Sequence, residues 1–154
     1  MSKIITKITS PLIRGNYSQW KKSTLNYVEL FNDKVGHIID RLDLPKTIEL
    51  RVRAIPYRMK ASGIAYPPEC KGGKYIVDVD ARQSRRSFFH TLLHELVHVE
   101  QFHTDKLIMG DHNVMWKGKL YEQVHDVHSS AYGKQPWEEE ANRKAKKLYK
   151  FLKA

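Results

Sequence analysis

Residues 84–103, SRRSFFHTLLHELVHVEQFH, decide how this chain is read. Phe89, Leu92, Leu96 and Val99 recur at three- and four-residue steps, with Phe88, Leu93 and Val97 beside them. That period predicts a helix with a buried face. His94 and His98 stand four residues apart, about one turn, so both imidazoles leave the same face. Two such rings can share one ion. Zinc accepts nitrogen ligands, prefers four-coordinate geometry and, in a catalytic site, keeps one position for water. Glu95 follows the first histidine and can lie beside that water, where a carboxylate can take its proton. The His-Glu-x-x-His pattern is short, and a helix whose histidines merely face solvent is the plain alternative. Context favours the metal reading: the apolar stripe points away from the histidines, and a strand candidate precedes the helix.

Before this helix, residues 17–42 read as another. Trp20, Thr24, Tyr27, Phe31, Val35, Ile38 and Leu42 make one largely apolar stripe, which Pro45 stops. A switch to period two follows within residues 47–80. Ile48, Leu50, Val52 and Ala54 alternate with charged residues, as a half-buried strand requires. Two more strand candidates cover 63–66 and 75–79, joined by a loop holding Pro67, Pro68, Gly72 and Gly73. After the histidine helix, 112–116 and 119–124 flank Lys117-Gly118, a tight-turn pair, and predict a hairpin over 112–124. Pro136 opens a last helix over 136–153, with Trp137, Ala141, Ala145, Leu148 and Leu152 on its buried stripe. The order helix, three strands, helix, hairpin, helix predicts a single α+β domain over 1–154, with a mostly antiparallel sheet.

The chain carries 27 Lys plus Arg against 17 acidic residues, a net charge of +10. Part of that excess lies in NRKAKKLYKFLKA, residues 142–154, which hold no acid. Arg143, Lys144, Lys146, Lys147 and Lys150 could attract nucleic acid, but a solvated helix face is the favoured reading. No nucleic-acid motif accompanies the charge. Cys70 is the one cysteine. It excludes an internal disulfide and a cysteine-rich metal site, fits a reducing compartment, and reads as a loop residue without a chemical role. The first ten residues lack a signal-peptide core, and no stretch is long and apolar enough to span a bilayer. The expectation is a cytoplasmic protein with no membrane partner.

Two histidines hold zinc weakly, so a third protein ligand is expected. Glu138 is favoured, because it lies at the margin of the stripe formed by Trp137, Ala141 and Ala145. Glu139 lies farther round and should be solvated. Glu140 flanks the stripe on its other side and could buttress a ligand or compete to be one. His112 is the rival from the hairpin. Small Ala141 and Ala145 would let the last helix approach the histidine helix closely. Of the other histidines, His90 lies one turn before His94 and could support it, and His103 lies too near the helix end to share the metal. His125 and His128, with Tyr132, stay open as groups that stabilise a transition state.

With HELVHVEQ at 94–101 and PWEEEANRKA at 136–145, the chain resembles the zincin metallopeptidases, in particular their short gluzincin-like type. The Glu138 to Ala141-Asn142 spacing is also similar to that of the ImmA/IrrE-like peptidases. The resemblance runs from about residue 63 to 145. It implies a zincin-like fold, a zinc ion on His94, His98 and Glu138, and hydrolysis of peptide or protein substrates by a zinc-bound water that Glu95 activates. It also implies that the strand before the active helix, 75–79, pairs with an extended substrate. A SprT-like protease, with a third histidine and substrates bound to nucleic acid, is the near alternative. A zincin-fold binding module with a structural metal, or none, is the other. An intact Glu95 argues against the last, since a structural site needs no base.

Overall fold

A computed structural model describes residues 8–9, 34, 37–44, 49–55, 59–68 and 74–153. Cys70, Gly72, Gly73, Pro45 and the stripe positions Trp20, Thr24, Tyr27, Phe31 and Val35 lie outside these residues. Of the expected 17–42 helix, residues 34 and 37–39 are helical and 40–41 form a turn. Arg41 and Leu42 donate to the carbonyls of Ile38 and Ile39, three residues back, which tightens the helix end and stops it short of Leu42. Ile38, Ile39 and Leu42 are buried.

The described elements make an α+β arrangement. A four-stranded sheet contains β1 (Ile8–Thr9), β2 (Glu49–Ile55), β3 (Gly63–Ala65) and β4 (Lys74–Asp80), in the order β1-β2-β4-β3. Helix α1 (Arg85–His103) follows. A second sheet holds β5 (Leu107–Met109), β6 (Asn113–Trp116) and β7 (Lys119–Glu122). Short helix α2 (Ser130–Gly133) and helix α3 (Pro136–Lys153) complete the order.

The main sheet departs from the antiparallel expectation. β1 and β2 are parallel, as are β2 and β4, and only β3 with β4 is antiparallel. Alternation of apolar residues specifies which face is buried and leaves strand direction open. Here the chain crosses from β2 to the far edge, makes β3, and returns as β4 between them. β4 is therefore an interior strand with both edges taken. The substrate-pairing role expected of 75–79 cannot belong to it; the strands with an outer edge are β1 and β3, and of these β3 lies against α1.

Each helix forms where its residues demand it. The Ser84 side chain caps α1 by accepting the Ser87 N–H. α1 is buried along two faces, with Leu92, Leu93, Leu96, Val97 and Val99 all inaccessible to solvent. One face packs on Val77 and Val79 of β4, and the other on α3. Ala141 and Ala145 of α3 are buried in that second contact; larger residues there would overpack it by about 1–3 kcal/mol. The hairpin turns at Lys117 and Gly118, both at positive φ (49° and 81°), as a two-residue turn matching strand twist requires. β5 joins it as a third strand, pairing Leu107 with Trp116.

Candidate metal centre

α1 and α3 lie antiparallel, with His90 beside Tyr149, His94 beside Asn142, and Gln101 beside Trp137. The first turn of α3 therefore stands next to His98. Trp137 sets the rotation of that turn. It packs edge-on to Tyr121 of β7 and tilted against Trp116 of β6, with ring centres 5.7 and 6.3 Å away. Gln135 ties the incoming loop down: its amide donates to the Tyr132 carbonyl and its oxygen accepts the Val124 N–H. Its backbone carbonyl accepts the N–H of Glu138 and Glu139. With Trp137 inward, Glu138 also turns inward and is 4% exposed, while Glu139 faces solvent.

Glu138 Oε2 lies 2.7 Å from His94 Nε2 and 3.2 Å from His98 Nε2, and the two nitrogens are 3.0 Å apart. Ligands held at about 2.0–2.1 Å on a tetrahedral zinc ion stand ~3.3 Å from one another. Two sides of the triangle are within a few tenths of an ångström of that spacing, and the third, His94 to Glu138, is shorter by roughly 0.6 Å. Two imidazole nitrogens this close to each other and to one carboxylate need a cation or shared protons among them. His94, His98 and Glu138 thus form a group that could hold a metal ion. Without one, the carboxylate and the rings charge each other. Burial would raise Glu138, but hydrogen bonds from His94 and His98 and their charges hold it well below the usual carboxylate range. Burial would lower His98, but Glu138, the Glu95 charge and Gln101 outweigh it and raise the ring to about 9.

Glu95 is buried beside this group. Burial raises its carboxyl, and the Glu138 charge adds to this against the two histidines and the Ala65 N–H. A raised carboxyl is better matched to taking a proton near neutral pH. Two cavities meet at Glu95, Gly63 and Tyr132. One, of about 350 Å³, is the more polar and reaches His90, Thr91, His94, His128 and Asn142. The other, of about 280 Å³, is walled by Ile64, Phe102, Leu107, Met109 and Val124. Gly63 allows the close approach of β3: a Cβ there would stand 2.6 Å from Thr91 Cγ2 and 3.0 Å from Glu95 Cγ. Tyr132 hydrogen-bonds Glu138; burial first, then Glu138 and the Glu95 charge, push its phenol up, so it stays a proton donor.

Several expected roles fall elsewhere. His112 lies in the bend before β6, is exposed, and is not in the metal group. Glu140 is buried but turned to Gln101 and to Lys106, Lys117 and Lys144, so it buttresses rather than joins the triangle. His90 stacks on Tyr149 at 4.2 Å instead of supporting His94; Asn142 Oδ1 takes that place, 2.8 Å from His94 Nδ1. Tyr132 and His128 reach the cleft, and His125 lines neither cavity. His103 pairs with the Tyr75 hydroxyl. On the basic face, Arg143, Lys146, Lys147 and Lys150 are exposed, but Lys144 is paired with buried Glu100 at 2.6 Å. The sequence reading missed Gln101, whose signal is its place one turn after His98. Among the described residues, no helix is long and apolar enough to cross a membrane.

Set against family models, curated proteins and solved structures, the chain matches none. The functional reading therefore rests on the residues and their geometry.

Proposed function

We propose that this chain is a zinc-dependent peptide hydrolase of zincin type, with His94, His98 and Glu138 as ligands and Glu95 as general base. The observation that carries the reading is the convergence of three ligand atoms on the floor of a cleft, with a buried carboxylate beside them. A structural metal site needs neither the cleft nor the carboxylate. Zinc, when bound, supplies Lewis-acid activation of water and of the scissile carbonyl.

The chain's own groups supply the rest. Glu95 takes the proton of the attacking water and can return it to the leaving amine. The Tyr132 hydroxyl, facing both Glu138 and Glu95, is placed to donate to the developing oxyanion. β3 offers a means to hold an extended peptide. Tyr66 N–H bonds Ile76 and Asp80 N–H bonds Ser62, which puts residues 62, 64 and 66 on the β4 side. Gly63 and Ala65 then turn their backbone groups away from β4; the Ala65 N–H is taken by Glu95, which leaves the Gly63 groups and the Ala65 carbonyl for a peptide to meet as a further strand. Nucleic acid as a partner remains an expectation from charge alone, carried by Arg143, Lys146, Lys147 and Lys150. The SprT-like alternative needs a third histidine, and exposed His112 does not provide it.

The deciding experiment combines elemental analysis with a peptide-library cleavage assay. The expected result is about one zinc per chain and cleavage that stops on chelation and returns with zinc. A folded, metal-free chain that still cleaves would end the proposal.

A further inference from the structure

Gln101 is fully buried between the two helices. Its amide has three close neighbours. Nε2 lies 3.0 Å from the Trp137 carbonyl and 3.3 Å from Glu140 Oε1. Oε1 lies 2.8 Å from His98 Nδ1. The first two neighbours can only accept, so the NH₂ group must face them; a flipped amide would set its oxygen against two other acceptors at full desolvation cost. That leaves the carbonyl oxygen facing His98, and the ring nitrogen opposite it must be the donor. Glu140 is held in turn: Lys144, Lys106 and Lys117 bring their ammonium groups to 3.7, 3.9 and 4.0 Å. Lys144 also pairs with Glu100, which accepts the Asp43 N–H.

We propose that Gln101, oriented by Glu140 and the Trp137 carbonyl, is a positioning residue that keeps a proton on His98 Nδ1 and turns the Nε2 lone pair to the metal. The inference rests on the metal reading above. A ring free to exchange its proton between nitrogens, or to rotate about χ2, would present the wrong atom part of the time. A buried amide with both ends committed removes that freedom, because neither flipping nor rotation is possible without breaking contacts that water cannot replace. Lys144 and its neighbours act one step farther out, by fixing the carboxylate that fixes the amide.

The test is zinc affinity by competition with a chromophoric chelator, together with NMR of the His98 ring. Gln101→Met keeps the volume and removes both amide functions; a loss of about 10–100-fold in affinity is expected. Gln101→Glu keeps an acceptor for His98 but sets a second carboxylate against Glu140, so it too should weaken zinc. Adding Glu140→Gln to that chain restores an N–H donor opposite the new acceptor, and affinity should recover in part, since the Trp137 carbonyl still meets an acceptor. Such recovery separates positioning from packing, which the double change does not improve. In the wild type a His98 Nδ1 proton should be protected from exchange, and in Gln101→Met it should exchange freely. Affinity within twofold of wild type for Gln101→Met, or a double variant no better than Gln101→Glu, would overturn the proposal. If the wild type takes up no zinc, the metal reading fails. The Nδ1 proton of the metal-free chain then still decides the contact: protection supports it, and free exchange in the wild type refutes it.

Discussion

His94 and His98 sit one helical turn apart and contact the same carboxylate, yet their surroundings differ. The His98 side chain is 9% exposed and leans on an amide committed at both ends. The His94 side chain is 18% exposed, lines the more polar cavity and leans on solvent-exposed Asn142. Among the described residues, nothing else fixes the Asn142 amide. One ring belongs to the core and the other to the rim of the cleft. The difference teaches that a single helix can anchor a site on one side and leave it adjustable on the side that opens to a cavity.

The largest effect expected is from removing the group common to both rings. Glu138→Ala should weaken zinc by more than the roughly 10–100-fold that loss of an outer partner costs, while His112→Ala leaves affinity unchanged. Equal zinc affinity for Glu138→Ala and wild type would dissolve the triangle altogether. Next comes Glu95→Gln, at a buried carboxylate beside the two rings that is not part of the triangle. Zinc content and melting temperature should stay at wild-type values while turnover falls about hundredfold or more. Wild-type turnover in that variant would assign Glu95 a structural role.

A smaller effect sharpens the comparison of partners. Asn142→Leu removes an exposed acceptor that water can replace, so zinc affinity should drop less than about tenfold, below the loss for Gln101→Met. A larger loss at Asn142 would reverse the assignment of anchor and rim. The smallest effect is on the metal-free chain. His98 is raised from its ordinary 6.5 to about 9 when folded, so its protonation stabilises the fold fully below pH 6.5 and the gain disappears as pH rises through 9. Glu138 is depressed, so its gain is present above its ordinary 4.5 and is lost as pH falls through its depressed value. The chelated protein should therefore lose melting temperature from pH 6.5 to 9, measured by calorimetry, and His98→Gln should flatten that slope. An unchanged slope in the variant would place the titrating group elsewhere.

What could be read from the residues was what repeats along the chain. The period of Phe89, Leu92, Leu96 and Val99 located α1, and the stripe of Trp137, Ala141 and Ala145 located α3; the phase of that stripe turned Glu138 toward the histidines. Strand direction carries no such period, so the parallel pairing of β2 with β4 was out of reach. So were β5 and α2, at three and four residues too short to show a pattern. Spacing placed His90 on the histidine face, but Tyr149, arriving from α3, captured it by stacking. Lys144 read as one more solvated cation because the carboxylate it meets, Glu100, comes from a different helix. Gln101 was visible only as a polar residue in a buried register. Its meaning depends on Trp137 and Glu140, which only the packed helices bring near.

His98 and Glu138 are 40 residues apart in the chain, and the whole second sheet and α2 lie between them. An ion held by both is a reversible crosslink across that loop. It can be retained only while β5, β6 and β7 are folded and Trp137 is seated against them, so uptake is coupled to folding. Damage to the hairpin, far from any reacting atom, would then be felt as metal escaping from a helix that is itself intact. Excess zinc would favour the closed chain by mass action. On the proposed reading, the ion that would supply the chemistry would also serve as the latch by which the segment after α1 reports that it has closed.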